Sequence, residues 1–89
     1  MKNIIKSFFK HPRPRYLYAI TGGTYLGELF VFIEKDSTNF MFLSLPDMKI
    51  RLVPHDKFYF GIDNKIIDIL KKIPRYVYDV CKSQYLKNK

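Results

Sequence analysis

The chain has no tryptophan, a single cysteine among its 89 residues, and no acidic group before Glu28. One cysteine, Cys81, cannot close an internal disulfide, so no disulfide framework holds the fold, and a reducing compartment fits. Long apolar runs are also missing: nothing approaches the eighteen or so uncharged residues that a membrane span requires. The opening "MKNIIKSFFK" is basic, but Lys6 and Lys10 break up the apolar core that a secretory signal would need. The expectation is a soluble, cytoplasmic protein. Metal-ligand spacing is absent as well, since His11, His55 and Cys81 fall in three separate segments. There is no Ser–His–Asp context either. His55–Asp56, set between a proline and a lysine, reads as a capping pair in a turn rather than half of a proton relay. No metal, no cofactor and no catalysis are therefore expected.

What is present is apolar material for one small core. Hydrophobic residues make up 47% and aromatics 17%, with eight Phe and seven Tyr. That excludes a disordered chain despite the charge. A chain of this length is one domain, burying about two thirds of its unfolded surface.

The net charge of +8 is unevenly spread. Residues 1–16 carry five basic groups and no acid, residues 17–64 carry four basic and six acidic groups, and residues 65–89 carry seven basic and two acidic groups. Basic ends around a mildly acidic middle point to a polyanionic partner: nucleic acid, an anionic membrane or an acidic protein surface. The plainer alternative is that the ends keep an apolar domain in solution.

Read for periodicity, "KNIIKSFFK" spaces Ile4, Ile5, Phe8 and Phe9 as the stripe of a short helix. Pro12 and Pro14 stop it and make His11–Arg15 an extended basic arm. Strands are predicted at 16–21, 28–34, 40–45, 49–53 and 57–60, with polar turns at 35–39, Pro46–Asp47 and 54–56. The 28–34 strand is apolar without alternation, as expected of one covered on both faces. From Asp63 onward Ile66, Ile69, Leu70, Ile73, Val77, Val80 and Cys81 recur every three or four residues, predicting a helix that Pro74 kinks or divides.

Gly22 to Gly27 satisfies the first half of a phosphate-binding loop, but Glu28 and Leu29 stand where Lys and Ser or Thr belong, and a strand follows where a helix should. The glycines instead serve a turn between two strands. In that setting "ITGGTYLGELFVFIEKDSTNFMFLSLPDMKIRLVPHDKF", residues 20–58, resembles the KOW motif, in which a strand, a glycine-bearing turn and a second apolar strand open an SH3-like barrel. Gly23, Gly27 and the run Leu29 to Ile33 carry the resemblance. It implies a small SH3-like (KOW-like) antiparallel β-barrel, which the short N-terminal helix and the kinked C-terminal helix read from periodicity complete into an α+β domain. The division is a basic helix and arm over 1–15, a barrel over 16–61, and an amphipathic helix packed on it over 62–89. KOW and SH3-like barrels occur in ribosomal proteins and transcription elongation factors, contacting RNA, DNA or proteins; the fold alone does not choose among these.

The expected function is therefore non-enzymatic, phosphate-directed nucleic-acid binding with little sequence preference, in transcription or translation. Lys6, Lys10, Arg13, Arg15, Lys49 and Arg51 supply the charge in this reading, the last two from one face of a strand. Tyr16 and Tyr18 either stack on bases or pack beneath a terminal helix. The arm either follows phosphates, enters a minor groove, or is a solvated linker. On the C-terminal helix Asp68 and Asp79 interleave with Lys65, Lys72, Arg75 and Lys82 as on an ion-paired solvent face. The alternative function is a small module docking on an acidic surface of a transcription or translation machine. Membrane binding ranks last, since two turns of amphipathic helix bury too little apolar surface.

Overall fold

The computed structural model describes residues 11–45 and 47–89, so the helix expected over 2–9 and the residues Lys6 and Lys10 lie outside the described residues. The elements are β1 (Tyr16–Ile20), β2 (Leu29–Lys35), β3 (Asn39–Leu45), β4 (Lys49–Pro54), α1 (His55–Asp63), β5 (Ile67–Lys72) and α2 (Arg75–Asn88). The strands form one antiparallel sheet in the order β4-β3-β2-β1-β5. β4 and β5 are its two edges. Among the described residues closure into a barrel, expected from the sequence, is not found; they form an α+β domain with a five-stranded antiparallel sheet and two helices.

Both faces of the sheet are covered, and by different chemistry. Tyr18, Ile20, Phe30, Phe32, Phe40 and Phe42 pack on one face with Phe58 of α1. Leu17, Val31, Ile33 and Leu43 pack on the other with Cys81 and Tyr85 of α2. The continuous apolar run of β2 follows from this double burial. The first face is an aromatic stack: the Phe42 and Phe58 rings lie 5.6 Å apart and near parallel, and Tyr18 meets both edge-on.

Bulges reset alternation in two places. Between Phe32 and Glu34 the pairing with β3 slips by one residue. Ile33 and Glu34 thus turn to the same side, and the Glu34 carboxylate accepts a 2.7 Å hydrogen bond from the Tyr85 hydroxyl on α2. Between Leu17 and Tyr18 the pairing with β5 slips likewise, leaving Leu70 outside the register.

The glycine-bearing turn joins β1 to β2, as the sequence implies. Gly23 and Gly27 have φ of 80° and 90°. Gly22 does not need positive φ; it sits where a Cβ would touch Ile66 at 3.4 Å.

Two elements depart from the sequence reading. The predicted strand 57–60 is the middle of α1. Phe58 and Phe60 would share a face in a strand, whereas in the helix Phe58 is buried and Phe60 is exposed. Pro54, extended at φ −55° and ψ 146°, starts the helix. A six-residue closing turn stops it: Lys65 adopts φ 58°, and the amides of Lys65 and Ile66 donate to the carbonyls of Ile62 and Gly61. Residues 67–72 are a strand rather than the first half of a helix. Ile67 and Ile69 alternate as well as they recur, and the free edge of β1 supplies backbone partners that decide between the two. Pro74 then separates β5 from α2, so it divides a strand from a helix and kinks nothing.

At Gly61 α1 passes close to the start of β5: a Cβ there would lie 2.6 and 2.8 Å from the Ile67 side chain. Gly61→Val is expected to lower stability by about 1–3 kcal/mol through overpacking, despite replacing a glycine within a helix. Gly23→Ala is expected to cost only the backbone strain of positive φ, about 1 kcal/mol, since nothing lies within 4 Å of its Cβ position. Equilibrium denaturation of the two variants checks the ranking, and equal losses would contradict the packing argument.

Candidate nucleic-acid interface

The arm His11–Arg15 is docked on the domain, not extended from it. Pro12 is buried. His11 Nδ1 and the Tyr59 hydroxyl are hydrogen-bonded at 2.7 Å, and the Arg13 amide donates to the Tyr18 hydroxyl at 3.0 Å. Arg15, at φ 74°, turns the chain into β1. Its carbonyl accepts from the Ile73 amide at 2.7 Å, and its Nε donates to the Ile73 carbonyl at 3.2 Å.

That last pair of bonds assembles a basic corner. β1 starts where β5 ends, with Tyr16 opposite Lys72 and Leu17 opposite Lys71. Arg13 and Arg15 at the entrance to β1 therefore lie beside Lys71, Lys72 and Arg75 at the exit of β5. The register sends Lys71 to the face bearing α2 and Lys72 to the face bearing α1. Segments 11–16 and 69–78 contain these five cations and no carboxylate. Ion pairs among the described residues join Arg51 to Glu28 and Lys89 to Glu34, away from Arg15, Lys71, Lys72 and Arg75. The first turn of α2 adds to the same sign, having no acidic residue and no side-chain cap.

The other sequence-predicted residues are placed differently. Tyr18 is 1% exposed and locked among Phe42 and Phe58, so it has no face to offer a base. Tyr16 is partly buried against the same aromatic cluster. Lys49 opens β4, at the other edge and the other end of the sheet from the corner. Arg51 is held by Glu28 in a two-pronged ion pair, Nε to Oε1 at 3.0 Å and Nη2 to Oε2 at 3.1 Å, while its guanidinium lies 4.5 Å from the Tyr25 ring centroid. It is a structural cation.

Sequence reading missed Lys71, and assigned Lys72 and Arg75 to an ion-paired helix face, because it placed all three on a helix. Only the β1–β5 pairing brings them to the arm. His11 and His55, separate in sequence, line one pocket of about 290 Å³ with Tyr59 and Phe40. His55 stacks on Phe40 at 4.1 Å, and its Nε2 is buried without a hydrogen-bond partner among the described residues. No group of three metal-ligating side chains forms among the described residues. Nor is any helix there long and apolar enough to cross a membrane. No protein-family model, curated protein or solved structure matches the chain.

The Glu28 site also holds one of three carboxylates that tie stability to pH in acid. Desolvation pushes its carboxyl up, but hydrogen bonds from Ser44, at 2.5 Å, and from Arg51 outweigh it, holding the carboxyl below its ordinary value of 4.5. A carboxyl lowered on folding stabilises above its unfolded pKa, and that contribution is lost as pH falls through the folded one. Glu34 and Asp36 are lowered too, by Tyr85 and by the Asn39 and Thr38 amides respectively. Glu28→Ala would strand the Ser44 hydroxyl, which is 1% exposed. The expected loss is about 1–3 kcal/mol at neutral pH. The gap to the parent chain should narrow in acid, as pH falls below 4.5 and then through the lowered pKa at which the parent's own carboxylate is protonated. Urea denaturation at neutral pH and in acid checks this; a gap independent of pH would exclude the ionised carboxylate as the cause.

Proposed function

We propose that the protein is a non-enzymatic nucleic-acid-binding domain that contacts phosphates through the corner formed by Arg13, Arg15, Lys71, Lys72 and Arg75, with little sequence preference. The observation that carries this reading is five cations from three elements gathered without a carboxylate in either contributing segment. Natural surfaces usually intersperse the signs, and concentrating one sign creates a field that draws in a polyanion. The spread between strand edge, arm and helix start gives a path for a phosphate backbone, and contacts to phosphates fix position without reading sequence.

The proposal extends to the family. The order strand, glycine-bearing turn, apolar strand, with Gly23 and Gly27 both at positive φ, supports a KOW-like, SH3-like domain whose sheet stays open between β4 and β5. A place in cytoplasmic transcription or translation goes with that proposal.

Neutralising about five phosphates gives a slope of log K against log salt near −4.5 on duplex DNA and about −3.5 on single strands. Replacing Lys71 and Lys72 together with Gln should flatten the duplex slope by about two units, whereas Lys57→Gln on α1 should leave it unchanged. Titrating labelled duplex DNA, single-stranded DNA and structured RNA at several salt concentrations makes the measurement. An unchanged slope in the double variant would remove the corner from the interface. Failure of all three probes to bind at moderate salt would favour the alternative partner, an acidic protein surface.

A further inference from the structure

Tyr76 is 72% exposed, more than any other large apolar side chain among those described. A single exposed aromatic needs no explanation by itself. Its position calls for one: it is the second residue of α2, directly after Arg75 and four residues after Lys72, at the margin of the basic corner. Val80, one helical turn further on and also exposed, extends the ledge on the same side. No ring contact ties Tyr76 to another aromatic among the contacts described, in contrast to the aromatic cluster around Tyr18 and Phe42.

Resting on the basic-corner reading above, we propose that the corner takes single-stranded nucleic acid, with one base stacked on Tyr76 and the flanking phosphates on Arg75, Lys72 and Lys71. Stacking on a protein ring needs a base that is free of its own neighbours. A duplex keeps its bases stacked inside, so it can use the cations but not the ring. The strand's direction follows from charge. Asp79 stands three residues beyond Tyr76 and repels a backbone that continues along α2, so the phosphates run from Tyr76 back toward β5 and the arm. Tyr76 thus takes the stacking role that the sequence offered to Tyr16 and Tyr18, one of which is buried and the other packed against the core.

The chain has no tryptophan, so Tyr76→Trp installs its only indole. Binding of oligo(dT) should quench that indole, while an abasic strand of equal length should bind without quenching it. Tyr76→Ala should weaken oligo(dT) binding about 5- to 150-fold. It should leave the abasic strand and an equal-length duplex unaffected, with Tyr76→Phe retaining most of the affinity. An unquenched indole, or a Tyr76→Ala loss that is nil or equal on base-bearing and abasic strands, would overturn the stacking role while leaving the corner intact. Failure of the parent chain to bind even the abasic strand would remove the corner and this inference together. Because Tyr76 is exposed, its substitutions should leave the denaturation midpoint within experimental scatter, which separates a binding loss from an unfolding one.

Discussion

The pairing of β5 with β1 governs the placement of nearly everything after residue 54. A four-stranded meander would leave the outer backbone of β1 without partners, and the segment that supplies them must come back from the far edge at β4. α1 makes that crossing over the aromatic face, which is why Phe58 completes the stack with Phe42 and Tyr18. Once β5 is bonded to β1, its exit delivers α2 to the opposite face, where Cys81 and Tyr85 cover Leu17, Val31 and Leu43. The same pairing, extended by the two bonds between Arg15 and Ile73, sets the arm beside Lys71, Lys72 and Arg75. Core and candidate interface therefore share one contact.

The two faces divide the tasks of a small core. Aromatic rings dominate the α1 face, where few residues must fill much volume, and their edge-on and stacked contacts add about 0.5–1.5 kcal/mol per pair beyond burial. The α2 face is largely aliphatic and is locked at its margin by polar groups. Glu34 accepts from both Tyr85 and Lys89, and burial together with this carboxylate pushes the Tyr85 phenol up to about 12. Cys81, its thiol pushed up by burial, fills space there as a small apolar side chain.

The meander was legible because its signals are local. Alternation in "YLYAI", double-sided burial in "LFVFI", the Asp36 turn and the glycine pair each report on their own residues; the Asp36 carboxylate does cap the Thr38 and Asn39 amides. After Pro54 the choices are made at long range. "KFYF" suits a strand by alternation, yet Phe58 is needed across the sheet and Phe60 is not. "IDILKK" suits strand and helix alike until β1 offers its edge. The different grouping of the cations follows from that single ambiguity. With 67–72 read as helix, Lys71 has no evident role, Lys72 and Arg75 look paired with Asp68 and Asp79, and the arm has nothing to dock against. The charge imbalance at the chain ends was visible in composition, whereas the meeting of Arg15 and β1 with the exit of β5 was not.

Charge placement across the finished domain is selective. Glu28 and Glu34 both sit on β2 or its approach, in the middle of the sheet, and each holds a cation: Arg51 at the β4 side and Lys89 from the end of α2. The first of these pairs neutralises a cation that lies largely covered on the sheet. Arg15 in the corner is held the other way, by a neutral group, through the bond from its Nε to the Ile73 carbonyl. A guanidinium bonded to a carbonyl is oriented but keeps its full charge, so the arm can be rigid and electropositive at once. Ordering cations before a polyanion arrives lowers the conformational entropy lost on binding. Replacing that neutral acceptor with a carboxylate would hold the arm as firmly and cancel the field. The docked arm is thus better understood as a pre-formed part of the corner than as a tether, and the distribution of acids along the chain, none before Glu28 and none between Asp68 and Asp79, keeps it so.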